Sequence, residues 1–397
     1  MKKTIKDLNL ANKKVILRVD FNVPIADGKV MDTKRIDAAL PTINYLLENG
    51  AGVILLSHLG RVKVEEDKAT KTLAPVAKKL AEIMNREVKF IAQTRGDLVN
   101  EAAKNLKPGD LVMLENTRFE DLNDKAESSN NEELAKYWAS LADIYVNDAF
   151  GTAHRAHAST YGIQSFIKES ALGFLMHDEV SHLSRLMNDV KRPYVAIIGG
   201  AKVSDKIKVL VKLFEVADKV LVVGGMAYTF RKALGYEIGT SIFEEDKVEM
   251  AKEYLEKYGD KIVLPVDNAY TKDFADNKPE YTTSKNPNIP EGYMGLDIGP
   301  ESVKVFEEII KDAKTIFWNG PAGVTEFSNY EAGTKGIAIA IANNEEAYSV
   351  VGGGDSVSAI NKLGFQSKFS FISTGGGASI EFVQGNKLPG IEIINDK

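Results

Sequence analysis

Short unbroken apolar runs alternate along this chain with longer stretches whose apolar residues recur every three to four positions. The runs lie at 15–19, 52–56, 111–114 and 144–146, and then at 194–198, 220–223, 315–317, 349–351 and 369–372. A strand covered on both faces shows continuous rather than alternating apolarity, so these runs predict buried parallel strands. The stretches 33–49, 130–141, 205–216 and 302–311 have the helical period, and the first stops at Gly50, a residue suited to the position just past a helix end. Strand–helix alternation predicts an α/β fold with parallel sheets. No internal sequence repeat is visible, yet both halves carry the alternation. The helical stretch 174–190 bridges them, and Lys191-Arg192-Pro193 opens a new strand, which puts the domain junction there. The terminal LPGIEIINDK is too short to form a domain and must dock on one.

Composition narrows the class. A length of 397 residues suits two domains, and 44% apolar residues can fill two cores. No apolar run reaches the length of a membrane span, and the N-terminus carries no long apolar segment, so the expected location is cytoplasmic with no membrane partner. There are no cysteines, which excludes disulfides and thiolate chemistry. The net charge of −6 argues against a nucleic-acid partner. The basic residues are unevenly placed: of ten arginines, nine lie at or before Arg192, and all five histidines lie at or before His182. Arginine grips carboxylate and phosphate through a planar fork, whereas lysine acts as a point charge. Either composition drifts along the chain, or the two halves bind different anions by different means.

In open α/β sheets ligands bind beyond the carboxyl ends of the strands. In the first half those ends carry Asp20-Phe21-Asn22, then Ser57-His58-Leu59-Gly60-Arg61, then Glu115-Asn116-Thr117-Arg118, then the run from Asn147 to His154 and Arg155, with Arg35 opening the helix after the first loop. Four arginines and two histidines on one rim suit a ligand with both a phosphate and a carboxylate, while Asp20 and Asn22 could bind a hydroxyl. Arg18 lies within its strand and reads as structural, as do His157, His177 and His182.

In the second half the strands run into glycine: Gly199-Gly200, Gly224-Gly225, Gly352-Gly353-Gly354 and Gly375-Gly376-Gly377. Glycine lets backbone N–H groups approach phosphate. Neither G-x-x-x-x-G-K-[ST] nor a full G-x-G-x-x-G is present, nor a protein-kinase set. Lys202 and Lys206 follow Gly200 at a spacing that would place both on one face of a helix. They are either solvated or phosphate-binding. Asp355 follows three glycines and is either a helix N-cap or a magnesium ligand. Glu326, after Asn319-Gly320-Pro321, could hold a ribose hydroxyl.

At this point the motifs RVDFNVP (18–24), SHLGR (57–61), LENTRF (114–119), NDAFGTAHRAHAST (147–160), GGAKVSDKI (199–207), GGMAYTF (224–230), LDIGPES (296–302), WNGPAGV (318–324), GGGDS (352–356) and STGGGAS (373–379) resemble, in order, those of the phosphoglycerate kinase family over nearly the whole chain. Val62 stands where many relatives have proline and Thr325 where many have phenylalanine. The resemblance implies two Rossmann-like domains joined by a hinge helix, acting as a monomer: an N-terminal domain 1–173 that the tail 384–397 rejoins, the helix 174–190, and a C-terminal domain 191–383. It implies 3-phosphoglycerate or 1,3-bisphosphoglycerate on the first domain at Asp20, Asn22, Arg35, His58, Arg61, Arg118 and Arg155, with Phe21, Leu59, Gly60 and His154 beside them. It implies ADP or ATP with Mg²⁺ on the second at Lys202, Lys206, Gly295, Asn319, Glu326, Gly353, Gly354, Asp355 and Ser356, with Gly200, Ala201, Gly224, Gly225, Leu296 and Pro321 completing the site and Asp355 on the metal. Transfer is then positioned by Arg35, Lys202 and the backbone of Gly375, Gly376 and Gly377. A nicotinamide-dependent oxidoreductase and a non-catalytic binding protein are the rival readings. The missing G-x-G-x-x-G speaks against the first, and the joint presence of Arg35, Lys202 and Asp355 against the second.

Overall fold

The computed structural model describes residues 1–397, which form two units: Met1–Ser181 with Asn386–Lys397, and His182–Gly385. Unit 1 is built on β1 (Lys14–Arg18), β2 (Gly52–Leu56), β3 (Lys89–Ile91), β4 (Leu111–Leu114), β5 (Ile144–Asn147) and β6 (Glu169–Leu172). They run in the order β3-β4-β2-β1-β5-β6, all parallel, with Val15 opposite both Val53 and Ile144. All five residues of β2 are buried, as a strand covered on both faces requires. The first helix, α1 (Lys34–Glu48), buries Ile36, Ala39, Ile43, Leu46 and Leu47. That one-sided stripe packs on Leu17, Val53 and Leu55 of the sheet.

Unit 2 contains β7 (Tyr194–Ile198), β8 (Lys219–Val222), β9 (Ile262–Val263), β10 (Asn268–Thr271), β11 (Glu280–Tyr281), β12 (Met294–Ile298), β13 (Thr315–Asn319), β14 (Tyr348–Gly352) and β15 (Phe371–Ile372). Its main sheet is parallel, in the order β9-β8-β7-β13-β14-β15. Ile197, Leu221, Trp318 and Val351 of this sheet share a core with Ile337 and Ile341. The strands β11-β10-β12 form a separate antiparallel sheet. The expected α/β fold with two parallel sheets flanked by helices is the one observed, and the antiparallel sheet is an addition to it. No helix is long and apolar enough to cross a membrane.

In each main sheet the strand order reverses direction once, between β1 and β5 and between β7 and β13. Loops leaving such a pair diverge, and the crevice between them is where open α/β sheets hold ligands. Both switch points coincide with the motif-bearing loops: Asp20–Asn22 and 148–155 in unit 1, 199–206 and 320–326 in unit 2.

The helix α2 (Phe174–Asn188) is one uninterrupted element, and the division between units falls inside it, after Ser181. Its first turn is held in unit 1, where Met176 N donates to Asp148 Oδ1 at 3.0 Å and Phe174 N to Thr42 Oγ1 at 2.9 Å. Its second half is held in unit 2, where His182 stacks on Phe371 at 4.1 Å and its Nδ1 lies 2.6 Å from the Tyr348 hydroxyl. Burial pushes the Asp148 carboxyl up to about 7 despite the Met176 N–H donor. The folded chain therefore keeps a proton that the unfolded chain releases near 3.8. Stability from this proton is full at low pH and is lost as pH rises toward about 7. Accordingly, the Tm of Asp148→Asn relative to the unsubstituted protein should climb between about pH 4 and pH 7 and level off above that. Thermal melts with a pH-independent difference would contradict this.

The terminal residues 386–397 pack in unit 1. Ser170 N donates to Asn395 Oδ1 at 2.7 Å, Gly390 N donates to the Ala153 carbonyl at 2.9 Å, and Asn147 Nδ2 donates to the Gly390 carbonyl at 3.0 Å.

Candidate functional site

At the carboxyl ends of β1, β2, β4 and β5 the loops are held by side chains that bond neighbouring backbones. Asn22 Oδ1 accepts from Gly60 N at 2.8 Å, and Ser57 Oγ accepts from Phe21 N at 2.9 Å. Asn116 is buried and does most of the fastening: Oδ1 accepts from Leu59 N (3.1 Å) and Arg118 N (3.0 Å), while Nδ2 donates to the carbonyls of Leu59 and Lys71. The sequence reading assigned Asn116 no role. Its place at a strand end was visible, but its partners are set by tertiary packing. Phe21 and Leu59 bury their side chains in the core, so only their backbones are available to a ligand.

On this frame stand the polar groups. Arg35 NH1 reaches Asp20 Oδ2 at 2.5 Å, and Asp20 Oδ1 accepts from Asn22 N at 3.2 Å. Burial works against the Asp20 carboxylate, but His58, Arg35 and Arg18 hold it below its usual range. Burial also pushes the His58 imidazole down to about 3, leaving it neutral. Arg118 is mostly enclosed, with NH1 3.5 Å from Asp121 Oδ2. Its Nε and the neighbouring Thr117 Oγ1 are buried without hydrogen-bond partners, a rare condition that an anion at the rim would relieve. Arg155 Nε lies 3.2 Å from His154 Nε2, and Arg61 is exposed. The loops thus bring Asp20, Asn22, Arg35, His58, Arg118 and Arg155 to one edge of the sheet. Burial lowers the His157 pKa to about 3, and the charges of Arg118, Arg18 and Arg155 add to the effect.

Unit 2 holds a cavity of about 540 Å³ at its own switch point. Gly200, Ala201, Gly224, Gly225, Gly295, Leu296, Pro321, Glu326 and Asp355 line it, as do Tyr228, Ile242, Phe274, Met294 and Val324. The second group was missed by the sequence reading. Phe274 and Ile242 are large apolar residues left 64% and 49% exposed at the cavity, and exposure is a tertiary property that no local pattern displays. The glycines are needed for space: a Cβ on Gly295 would lie 2.0 Å from the Tyr228 hydroxyl, and one on Gly225 2.8 Å from the Ala201 carbonyl.

Two local expectations are corrected. Lys202 and Lys206 do not lie on a helix, because the helix α3 begins only at Ile207 (Ile207–Val216). Residues 203–206 form a turn instead, closed by Lys206 N donating to the Val203 carbonyl at 2.8 Å. Glu244 secures it by accepting from Ser204 N and Oγ at 2.9 and 2.5 Å. Lys202 is exposed, whereas Lys206 turns inward to Asn319 Oδ1, and burial lowers its pKa to about 8. Nor is Asp355 an N-cap: Gly353, at φ +91°, caps α4 (Gly354–Leu363), and Asp355 is exposed in the first turn. That removes the capping explanation for this carboxylate.

Asn319 Nδ2 is buried without a partner, and Cβ positions built on Gly352 and Gly353 would fall 3.3 Å from it. An orphaned donor beside a lysine and a glycine turn is a place for a phosphate oxygen. Ser356 is buried, with Oγ accepting from Gly320 N at 2.9 Å, so its hydroxyl shapes the loop. Gly375 N donates to Ser373 Oγ at 3.2 Å, which ties up one of the three backbone donors expected there, while Gly376 and Gly377 are exposed. No group of three or more His, Cys, Asp or Glu residues forms a metal cluster. Asp355, which lines the cavity together with Glu326, fits a magnesium ion that arrives on phosphate oxygens and takes one protein ligand.

Comparison with known proteins gives concordant results. The family model "Phosphoglycerate kinase" matches residues 5–386. The phosphoglycerate kinases of Enterococcus faecalis and Fusobacterium nucleatum are each 55% identical to the chain, with both partners covered in full. The phosphoglycerate kinase structure from Coxiella burnetii superposes with a TM-score of 0.89 at 39% identity, covering 99% of this chain and 98% of that one.

Proposed function

We propose that this chain, which belongs to the phosphoglycerate kinase family, transfers a phosphoryl group reversibly from 1,3-bisphosphoglycerate to MgADP, giving 3-phosphoglycerate and MgATP. The observation that carries the reading is the phosphate grip of unit 2: Lys206, the unpartnered Asn319 amide and the Gly352-Gly353-Gly354 turn, in the same unit as an apolar cavity sized for a nucleoside. The rim of unit 1 supplies the complementary anion site. Arg118 and Arg155 would hold charged groups of the phosphoglycerate, and Asp20 and Asn22 its hydroxyl.

In the direction of ATP consumption the nucleophile is a carboxylate. Its pKa near ~3.5 leaves it ionised at neutral pH, so no general base is needed. The protein's work is to place the two ligands in line and to offset the charge on the transferring group. We assign the second task to Arg35, Lys202 and the exposed N–H groups of Gly376 and Gly377. The magnesium ion belongs to the nucleotide substrate; held by Asp355, it would neutralise phosphate charge. Because the two ligand sites belong to different units, the reading requires closure about α2 to bring the reactants together and expel water. The proposed setting is a cytoplasmic monomer.

A coupled assay with ATP and 3-phosphoglycerate, with and without Mg²⁺, tests the function; NADH turnover without those substrates would favour the oxidoreductase instead. Asp355→Ala should weaken MgADP binding by about tenfold or more, about 1.4 kcal/mol, because the metal loses its protein carboxylate ligand, and leave 3-phosphoglycerate binding unchanged. In metal-free ADP the two proteins should bind alike. Calorimetry showing equal losses for both ligands would contradict the assignment.

A further inference from the structure

Beneath the rim of unit 1 lies a buried relay of hydrogen bonds, in which burial raises the Glu127 carboxyl above its usual range against the pull of Arg18. Arg18, the last residue of β1, is 1% exposed. Its Nε donates to Ser159 Oγ at 2.8 Å, and NH1 donates to the Val19 carbonyl. Ser159 Oγ in turn donates to Glu127 Oε1 at 2.5 Å, and Ser159 N to Glu127 Oε2 at 2.9 Å. Glu127 is fully buried, and its own carbonyl accepts from Ala158 N at 2.9 Å. The hydroxyl of Ser159 has one proton. With that proton committed to Glu127, its oxygen is left as the acceptor for Arg18, so the relay runs in one direction.

The remaining arm, Arg18 NH2, ends 3.3 Å from His58 Nδ1. A guanidinium can only donate, so Nδ1 must be the unprotonated nitrogen and the ring proton must sit on Nε2. Asp20 Oδ1 would favour the opposite tautomer, but it stands 4.0 Å from the same nitrogen, beyond hydrogen-bond range. Double protonation is opposed by burial and by Arg18, Arg118 and Arg35 around the ring, with Asp20 the one charge in its favour.

We infer that Arg18, held by Ser159 and Glu127, is a positioning residue that locks His58 in the neutral Nε2–H tautomer and so makes the ring a hydrogen-bond donor for an anionic ligand. The inference rests on the proposal that His58 binds phosphoglycerate. It explains why a buried arginine should be kept in a strand where an apolar residue would pack at less cost. Glu127 must be an acid here, because Ser159 offers it two donors and a glutamine could accept only one of them well.

The test reads the tautomer in the full-length, ligand-free protein labelled with ¹⁵N-histidine. Long-range ¹H–¹⁵N spectra resolve the five histidines, and the signal lost in His58→Gln identifies His58. A neutral Nε2–H ring is expected. Arg18→Lys, which keeps the charge but loses the fork, and Glu127→Gln, which keeps the volume, should each shift His58 toward Nδ1–H or a charged ring. Each should also raise KM for 3-phosphoglycerate roughly tenfold, with kcat and the KM for ADP within about twofold of normal. An Nδ1–H or protonated His58 in the unsubstituted protein would overturn the inference. So would a KM rise with the tautomer unchanged, since that is the mark of a merely structural role. If one variant fails to fold by circular dichroism, the other decides. The tautomer is measured without ligand or turnover, so its failure and a failure of the kinase assay are separate results.

Discussion

Replacing Arg35 by alanine is expected to lower kcat by about 10²–10³-fold, and replacing Lys202 to do the same, the loss typical of removing one preorganised donor from a charged transition state. The two losses should differ in kind. Arg35 sits in the first turn of α1 with NH1 tied to Asp20 Oδ2, and its side chain is 40% exposed, so part of the fork is fixed before any ligand arrives. Arg35→Lys should therefore rescue little, since a lysine cannot hold Asp20 and a second anion with the same geometry. Lys202 is exposed in the turn after Gly200 and acts as a point charge. Lys202→Arg should accordingly recover more activity than Arg35→Lys. Steady-state kinetics giving near-normal kcat for either alanine variant would remove that residue from the transfer step. A rise in KM alone would reassign it to ground-state binding.

Gly320→Val should damage both stability and nucleotide binding. Gly320 has φ +99°, and a Cβ there would lie 2.1 Å from the Gly199 carbonyl oxygen, while one on Gly199 would lie 2.1 Å from that of Pro321. The loops leaving β7 and β13 thus pack backbone against backbone at the switch point, next to the cavity wall formed by Gly200 and Pro321. Backbone strain of about 1–3 kcal/mol adds to overpacking of about 1–3 kcal/mol. A total of about 4 kcal/mol corresponds to a Tm loss of roughly 10 °C for a unit of this size. Gly235→Ala separates the two causes, because Gly235 has φ +85° but nothing within 4 Å of its would-be Cβ. That variant should lose only about 1–2 kcal/mol and bind MgADP normally. Equal losses in the two variants would show that the close approach contributes nothing.

How far the sequence revealed all this depends on whether the signal is local. The runs at 52–56 and 194–198 became strands with those same limits, because a doubly covered strand announces itself by apolarity alone. The edge strand β3, only Lys-Phe-Ile, and the polar β6, Glu-Ser-Ala-Leu, did not. β6 takes part of its hydrogen bonding from Asn395, over two hundred residues away. The antiparallel strands β10 and β11 are too short and polar to show a period. At the candidate sites the charged groups were legible because strand ends are predictable places for them. The turn carrying Lys202 and Lys206 was not, because it depends on Glu244 reaching Ser204. The apolar wall made by Phe274, Ile242 and Met294 was hidden because those residues come from segments with no motif of their own.

The return of residues 386–397 to unit 1 has a consequence for synthesis. Unit 2 is a continuous insertion, His182–Gly385, and unit 1 is the discontinuous one. Strand β6 and the loop that ends at Arg155 take hydrogen bonds from Asn395 and Gly390. Chains are made from the N-terminus at about 5–20 residues per second, so the first half would leave the ribosome long before its last partners exist. The part made second can close first, and the part that begins the chain is completed only when its final dozen residues are released.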